Sequence, residues 1–215
     1  MKVRSLSEMQ DALANDLVWR KREFTTLKFL IQGAREHERK VLLRSAITLL
    51  YAHWEGHVKH CAYVYLLYLN HVSPKYNEMT DNFMQMSLGE RFKNGFSIKR
   101  FSSQREIFNY ILLEGDGSFD VNEKVVVDTE SNLKYEVVLN ILGQLGLDEK
   151  VFELKENFID SRLVRFRNAV AHGEYVEIHE LQETYTELEQ ELLTMIQTFQ
   201  NLVINASENR SYLKS

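Results

Sequence analysis

From about Arg39 to Asn70 the chain keeps helical spacing of apolar residues, and from Ala46 to Leu69 it is apolar on most sides. A helix without a polar face does not lie on a protein surface. This one belongs in the centre of a fold or at a contact between subunits, and every other element has to be arranged around it. His71 to Pro74 stops it, because the residue before a proline is pushed out of helical geometry. Its longest apolar run, Cys61 to Leu69, is about half the length needed to cross a bilayer, so it reads as a core helix and no membrane is implied.

Other stretches repeat the helical period. Ser5-Leu6-Ser7-Glu8 has capping-box spacing and opens a helix with Leu13, Leu17, Phe24, Leu27, Leu30 and Ile31 on its apolar side, ended by Gly33 near Glu36. Ser131 reads as the N-cap of a helix carrying Leu133, Val137, Val138, Ile141, Leu142 and Leu145, with Gly146 at its C-terminal end. A further helix is expected from Lys155 to Ala171, ending at Gly173, and a last one from His179 to Asn205. Between them, about residues 73–130, lies a less regular insertion. It holds Pro74 and Gly89, Gly95, Gly115 and Gly117, a short helix over Gln104 to Leu113, and a short strand or extended segment at Lys124 to Asp128. One proline and nine glycines are too few for a turn-rich β-sandwich or barrel. The expectation is an all-α protein: a single compact helical bundle over residues 1–215. The lone Cys61 excludes an internal disulfide framework, and Met1 leads into a charged stretch without a signal-peptide core, which points to the cytoplasm.

The formal net charge of −5 has the wrong sign for a protein that holds duplex nucleic acid over its whole surface. The charge is sorted along the chain, however. Arg91, Lys93, Lys99, Arg100 and Arg105 occur without an acidic residue between them, whereas Glu174 to Glu191 holds glutamates and no Lys or Arg.

Phosphate-binding loops, paired zinc cysteines and nucleophile elbows are absent from the sequence. His53-Trp54-Glu55-Gly56-His57 places two histidines four apart. Its glutamate stands at the third position, where a metalloprotease helix needs it at the second, so packed, hydrogen-bonded histidines are expected. The segment Arg162 to Glu174 is richer. Asn168 and His172 are four apart and stack along one helix face, while Arg167 and His172 are about 140° apart and roughly 7.5 Å along the axis. An imidazole that moves protons beside a guanidinium that forks onto phosphate oxygens is the minimum apparatus for cleaving RNA without a metal. Surface charge with a capping histidine is the plainer alternative.

Arg167-Asn168-Ala169-Val170-Ala171-His172-Gly173 resembles the signature of the HEPN superfamily (higher eukaryotes and prokaryotes nucleotide-binding). Tyr51-Ala-His-Trp54-Glu55-Gly56, and Thr129-Glu-Ser131-Asn132-Leu133 followed by Leu145-Gly146-Leu147-Asp148, are similar to a bacterial HEPN group associated with defence loci. The resemblance implies a helical bundle that forms a homodimer, with two Arg–His motifs facing each other, and a metal-independent endoribonuclease activity without a cofactor. Carried over by position, His172 activates a ribose 2′-hydroxyl or protonates the leaving 5′-oxygen, Arg167 stabilises charge on the phosphorus, Asn168 orients the backbone or phosphate, and Glu55 is a further polar member of the cleft. Arg162, Arg165, Arg91, Lys93, Lys99 and Arg100 then bind the RNA backbone. The implied role is a toxin or antiphage defence effector restrained by an antitoxin or other defence-system protein. The alternative is a non-catalytic helical dimer that binds RNA or another protein.

Overall fold

The computed structural model describes residues 1–92, Ser97 and residues 99–214. Seven α-helices occur among them: α1 (Leu6–Gly33), α2 (Glu36–Val72), α3 (Asp81–Arg91), α4 (Phe101–Glu114), α5 (Tyr135–Leu145), α6 (Arg165–Ala171) and α7 (Ile178–Glu208). A π-helical segment, Phe158–Val164, runs directly into α6. The described residues form an all-α fold; the only β pairings among them are isolated antiparallel bridges, Lys75 with Ser118 and Met79 with Leu213. None of the described helices is long and apolar enough to cross a membrane.

The long apolar helix of the sequence is α2, and it lies in the centre. At 37 residues it is about 55 Å long. α7 and α1 pack along it, and α6 with its π-helical lead packs on another side. Trp54 of α2 is fully buried between the rings of Phe152 and Phe199, with centroids 5.9 and 6.3 Å away. The α1 start follows the sequence reading: the Ser5 hydroxyl accepts from the Glu8 N–H at 3.1 Å. The Glu8 carboxylate, however, reaches Arg4 N–H rather than closing the box on Ser5.

Three local expectations are corrected. Lys124 to Asp128 is not a strand, and its first three residues lie in a turn and bend. Asn122 accepts the Lys124 N–H through its side chain and the Val125 and Val126 N–H groups through its carbonyl, which closes a turn that no adjacent strand competes with. Ser131 does not cap α5; the helix starts at Tyr135, whose N–H is taken by the Asp160 carboxylate at 2.8 Å. α3, read from sequence as part of the irregular region, is a true helix that buries Phe83 and Met86 and packs on α5.

The paired histidines of α2 are structural, as expected. Both are buried and belong to a network with α1. Arg20 grips Asp16 through Nε at 2.7 Å and Nη2 at 3.1 Å, and its Nη1 donates to the His53 carbonyl at 3.0 Å. His57 Nδ1 lies 2.7 Å from Asp16, so it carries the proton, which leaves Nε2 to accept from the Cys61 thiol at 3.3 Å. Gly56 permits this approach of α1 to α2: a Cβ there would meet the Arg20 guanidinium at 3.3 Å.

Burial holds the His57 and His53 imidazoles below the ordinary histidine value; for His57 this outweighs the Asp16 carboxylate. Burial also raises the Asp16 carboxyl, but the hydrogen bonds from His57 and Arg20 outweigh it and hold the group well below its usual range. All three groups therefore bind protons more readily unfolded than folded, and stability is complete above the unfolded-state values and lost as pH falls. Urea unfolding is expected to give constant stability from about pH 8 to 7, a decline once pH drops below about 6.5, and a second decline below about 4 as Asp16 of the unfolded chain takes up a proton. Asp16→Ala, which strands a buried guanidinium, is expected to cost about 3–5 kcal/mol in the same assay.

Candidate functional site

The three stretches that carried the resemblance meet at one place. α2 supplies Tyr51 and Glu55, the loop before α5 supplies Thr129 and Asn132, and α6 supplies Arg167 and Asn168. Arg167 is half-buried, with its guanidinium carbon 4.9 Å from the centroid of the Tyr51 ring. Its Nη1 donates to Asn132 Oδ1 at 3.0 Å and to Asn168 Oδ1 at 2.8 Å. Both Nη1 protons are therefore used. The Nε–H and the adjacent Nη2–H have no hydrogen-bond partner among the described residues, and these are the two parallel donors with which an arginine forks onto a phosphate.

Beneath the guanidinium, Tyr51 is 2% exposed. Its hydroxyl accepts from the Leu133 N–H at 2.8 Å and hydrogen-bonds the Glu55 carboxylate. Burial, with the Glu55 charge beside it, pushes the phenol up to about 12, so Tyr51 is neutral at physiological pH and presents an electron-rich face to the cation. Glu55 Oε1 accepts from Thr129 Oγ1 at 2.8 Å and from Lys59 Nζ at 2.7 Å. Burial raises its carboxyl, but the hydrogen bonds from Lys59, Thr129 and Tyr51 outweigh that and hold it below the ordinary glutamate value, as a carboxylate.

His172 is the C-cap of α6, its N–H donating to the Asn168 carbonyl at 2.9 Å, and it is exposed. The next residues form a Schellman motif: Gly173, at φ +73°, donates to the Val170 carbonyl at 3.1 Å, and Glu174 donates to the Ala169 carbonyl at 2.9 Å. Arg44 of α2 locks this end from the side, with Nη1 on the Glu174 carbonyl at 2.8 Å and Nη2 near the Val170 carbonyl at 3.5 Å. Lys40 lies 3.8 Å above the Tyr175 ring. None of the described residues hydrogen-bonds the His172 imidazole.

Lys40, Arg44, Tyr51 and Glu55 fall within about 60° around α2, over roughly 22 Å of its length. One stripe of the central helix thus meets both the cation and the imidazole end of the motif. Sequence reading missed Arg44, Tyr51, Thr129 and Asn132 as members of the site. The i, i+4, i+11, i+15 spacing on an otherwise apolar helix was the signal available for the α2 members.

The other expected residues are dispersed. Asn168 lines a hollow of about 320 Å³ together with Arg165, Phe166 and Tyr175. Arg165 is exposed, and Arg162 is paired with Glu187 of α7 at 3.0 Å. Arg91, at the end of α3, stacks over Tyr110 at 4.9 Å. Lys99 and Arg100 are exposed ahead of α4, whereas Lys93 lies outside the described residues. The glutamate-rich start of α7 is partly neutralised, since Glu191 also pairs with Lys155 at 2.7 Å. No group of three or more His, Cys, Asp or Glu among the described residues is arranged to hold a metal ion.

The model of one protein family, described as RiboL-PSP-HEPN, matches the chain over residues 15–205. No curated protein and no solved structure is significantly similar to it.

Gly173 has no atom within 4 Å of an added Cβ, so Gly173→Ala tests backbone conformation alone. The left-handed geometry is expected to cost about 1–2 kcal/mol in thermal or urea unfolding. A neutral result would mean that the α6 end is not held in the Schellman turn.

Proposed function

The chain belongs to the RiboL-PSP-HEPN family, and from that premise we propose that it is a metal-independent endoribonuclease that works as a homodimer. The observation that carries this reading is the state of the two motif side chains. The Arg167 fork and the His172 imidazole come from one short helix and the residue that caps it; the fold holds the Arg167 guanidinium, and neither the fork nor the imidazole has a hydrogen-bond partner among the described residues.

In this mechanism a phosphodiester of RNA lies between two facing α6 helices. The Nε–H and Nη2–H of Arg167 bind the non-bridging oxygens and stabilise the additional negative charge as the phosphorus becomes five-coordinate. One His172 takes the proton of the ribose 2′-hydroxyl as that oxygen bonds to phosphorus. The bond to the 5′-oxygen breaks, and the partner's His172 gives that oxygen a proton. The products are a 2′,3′-cyclic phosphate and a 5′-hydroxyl. In this reading the amide Nδ2 of Asn168, which has no hydrogen-bond partner among the described residues, donates to the same phosphate. Arg165, with Lys99 and Arg100 further off, supplies charge for the RNA backbone. Arg162 contributes only after leaving Glu187. Toxicity or antiphage defence in the cytoplasm, under restraint by a partner protein, is the biological role that fits such an activity.

A second reading is favoured by one observation. Phe101, Phe108 and Leu112 form an exposed stripe along α4, each more than half exposed. A helical module that assembles through such a face without cleaving RNA would dimerise and leave growth unaffected when expressed.

Arg167→Ala and His172→Ala are each expected to abolish RNA cleavage, by at least about a hundredfold, with unchanged circular dichroism. EDTA is expected to have no effect, and cleaved ends should carry cyclic phosphate. Cleavage that requires added divalent metal, or full activity in His172→Ala, would overturn the mechanism. Expression of wild type beside His172→Ala separates nuclease from binding module by growth.

A further inference from the structure

We infer that the Thr129–Leu133 loop is a positioning device for Arg167, and that Glu55 acts through this loop rather than by moving protons. The inference rests on the ribonuclease reading for its meaning but on separate contacts for its argument. Thr129 and Leu133 are 1% and 0% exposed, and each is fastened to α2 by one hydrogen bond: Thr129 Oγ1 to Glu55, Leu133 N–H to the Tyr51 hydroxyl. Between these two fastenings the backbone turns through Glu130, at φ +56°, and offers Asn132 Oδ1 to Arg167.

A free arginine side chain samples many rotamers, and ordering it costs about 1.5–2 kcal/mol. Here that cost is met before any substrate arrives. Asn132 and Asn168 take both protons of one terminal nitrogen, and the Tyr51 ring covers one face of the guanidinium plane. Among the described residues nothing occupies the side-on fork, and it is the edge left with two parallel donors for a ligand. Asn132 therefore decides which edge of Arg167 meets the phosphate, and Glu55 and Tyr51 decide where Asn132 stands. Glu55 is poorly suited to proton transfer, because its carboxylate is already engaged by three groups: Thr129 and Lys59 on Oε1, and the Tyr51 hydroxyl. Tyr51, Thr129, Asn132 and Glu55 are thus positioning residues.

The discriminating pair is Glu55→Gln against Glu55→Ala. A glutamine amide oxygen still accepts from Thr129 but cannot shuttle a proton, so Glu55→Gln is expected to keep kcat within about threefold. Glu55→Ala, Thr129→Val and Asn132→Ala are each expected to lower kcat about tenfold to a hundredfold with KM changed less than about threefold. Loss of activity in Glu55→Gln equal to that in Glu55→Ala would overturn the inference.

A second readout does not depend on cleavage. Phenylglyoxal labelling of Arg167, followed by mass spectrometry, is expected to be several-fold faster in Asn132→Ala and Thr129→Val than in wild type, at equal melting temperature. Equal labelling rates would overturn the positioning role. An inactive wild type whose Arg167 is nonetheless protected would instead sink the ribonuclease reading and leave the loop's role standing.

Discussion

Where neighbouring elements cover a helix, water no longer satisfies its polar side chains, and a partner on the covering element stabilises each one. An unpaired buried polar group costs about 1–3 kcal/mol. On two sides of α2 such groups are received by the elements packed there. Toward α1 the helix turns His53 and His57, received by Arg20 and Asp16. Toward α6 it turns Lys40, Arg44, Tyr51 and Glu55. The same requirement that makes the bundle stable therefore decides which groups surround the Arg–His segment. Fold and candidate site both depend on the same central helix.

The electrostatics at the site follow from where those groups stop. Tyr51 is held neutral by burial, and Glu55 is held ionised by Thr129, Lys59 and Tyr51 itself. An electron-rich ring and two amide oxygens then surround Arg167, and no carboxylate among the described residues pairs with it. The cation is oriented but not neutralised, which leaves it able to receive an anion. At the other end of α6, the Arg44 cation satisfies carbonyls that the helix end exposes, while the left-handed Gly173 turns the chain away beyond His172. Orientation comes from α2 at both ends, about four helical turns apart.

Particular residues show why some of this was legible in the amino-acid order. The apolar girth of α2 announced a central helix, and the Ser5 cap, the Gly33 stop and the Gly173 stop stood close to their expected places, because those signals act within one or two turns of chain. Ser131 failed as a cap for the opposite reason. Residues 129–133 are committed to α2, and the start of α5 is satisfied by Asp160, which comes from a distant part of the sequence. The valines of 124–128 failed likewise: β-branched residues express their preference only beside another strand, and the fold puts none there.

Local chemistry alone thus determined that the chain is an all-α bundle built on one buried helix, and it singled out Arg167, Asn168 and His172 as neighbours, since spacing within a helix is a property of the backbone. Only the tertiary structure decided that Tyr51 lies under Arg167, that Asn132 takes one of its nitrogens, that Arg44 seals the helix behind His172, and that Arg162 is spent on Glu187. Those contacts join residues dozens of positions apart. Their energies depend on which groups are excluded from water together, and that is a property of the packed helices and not of any segment.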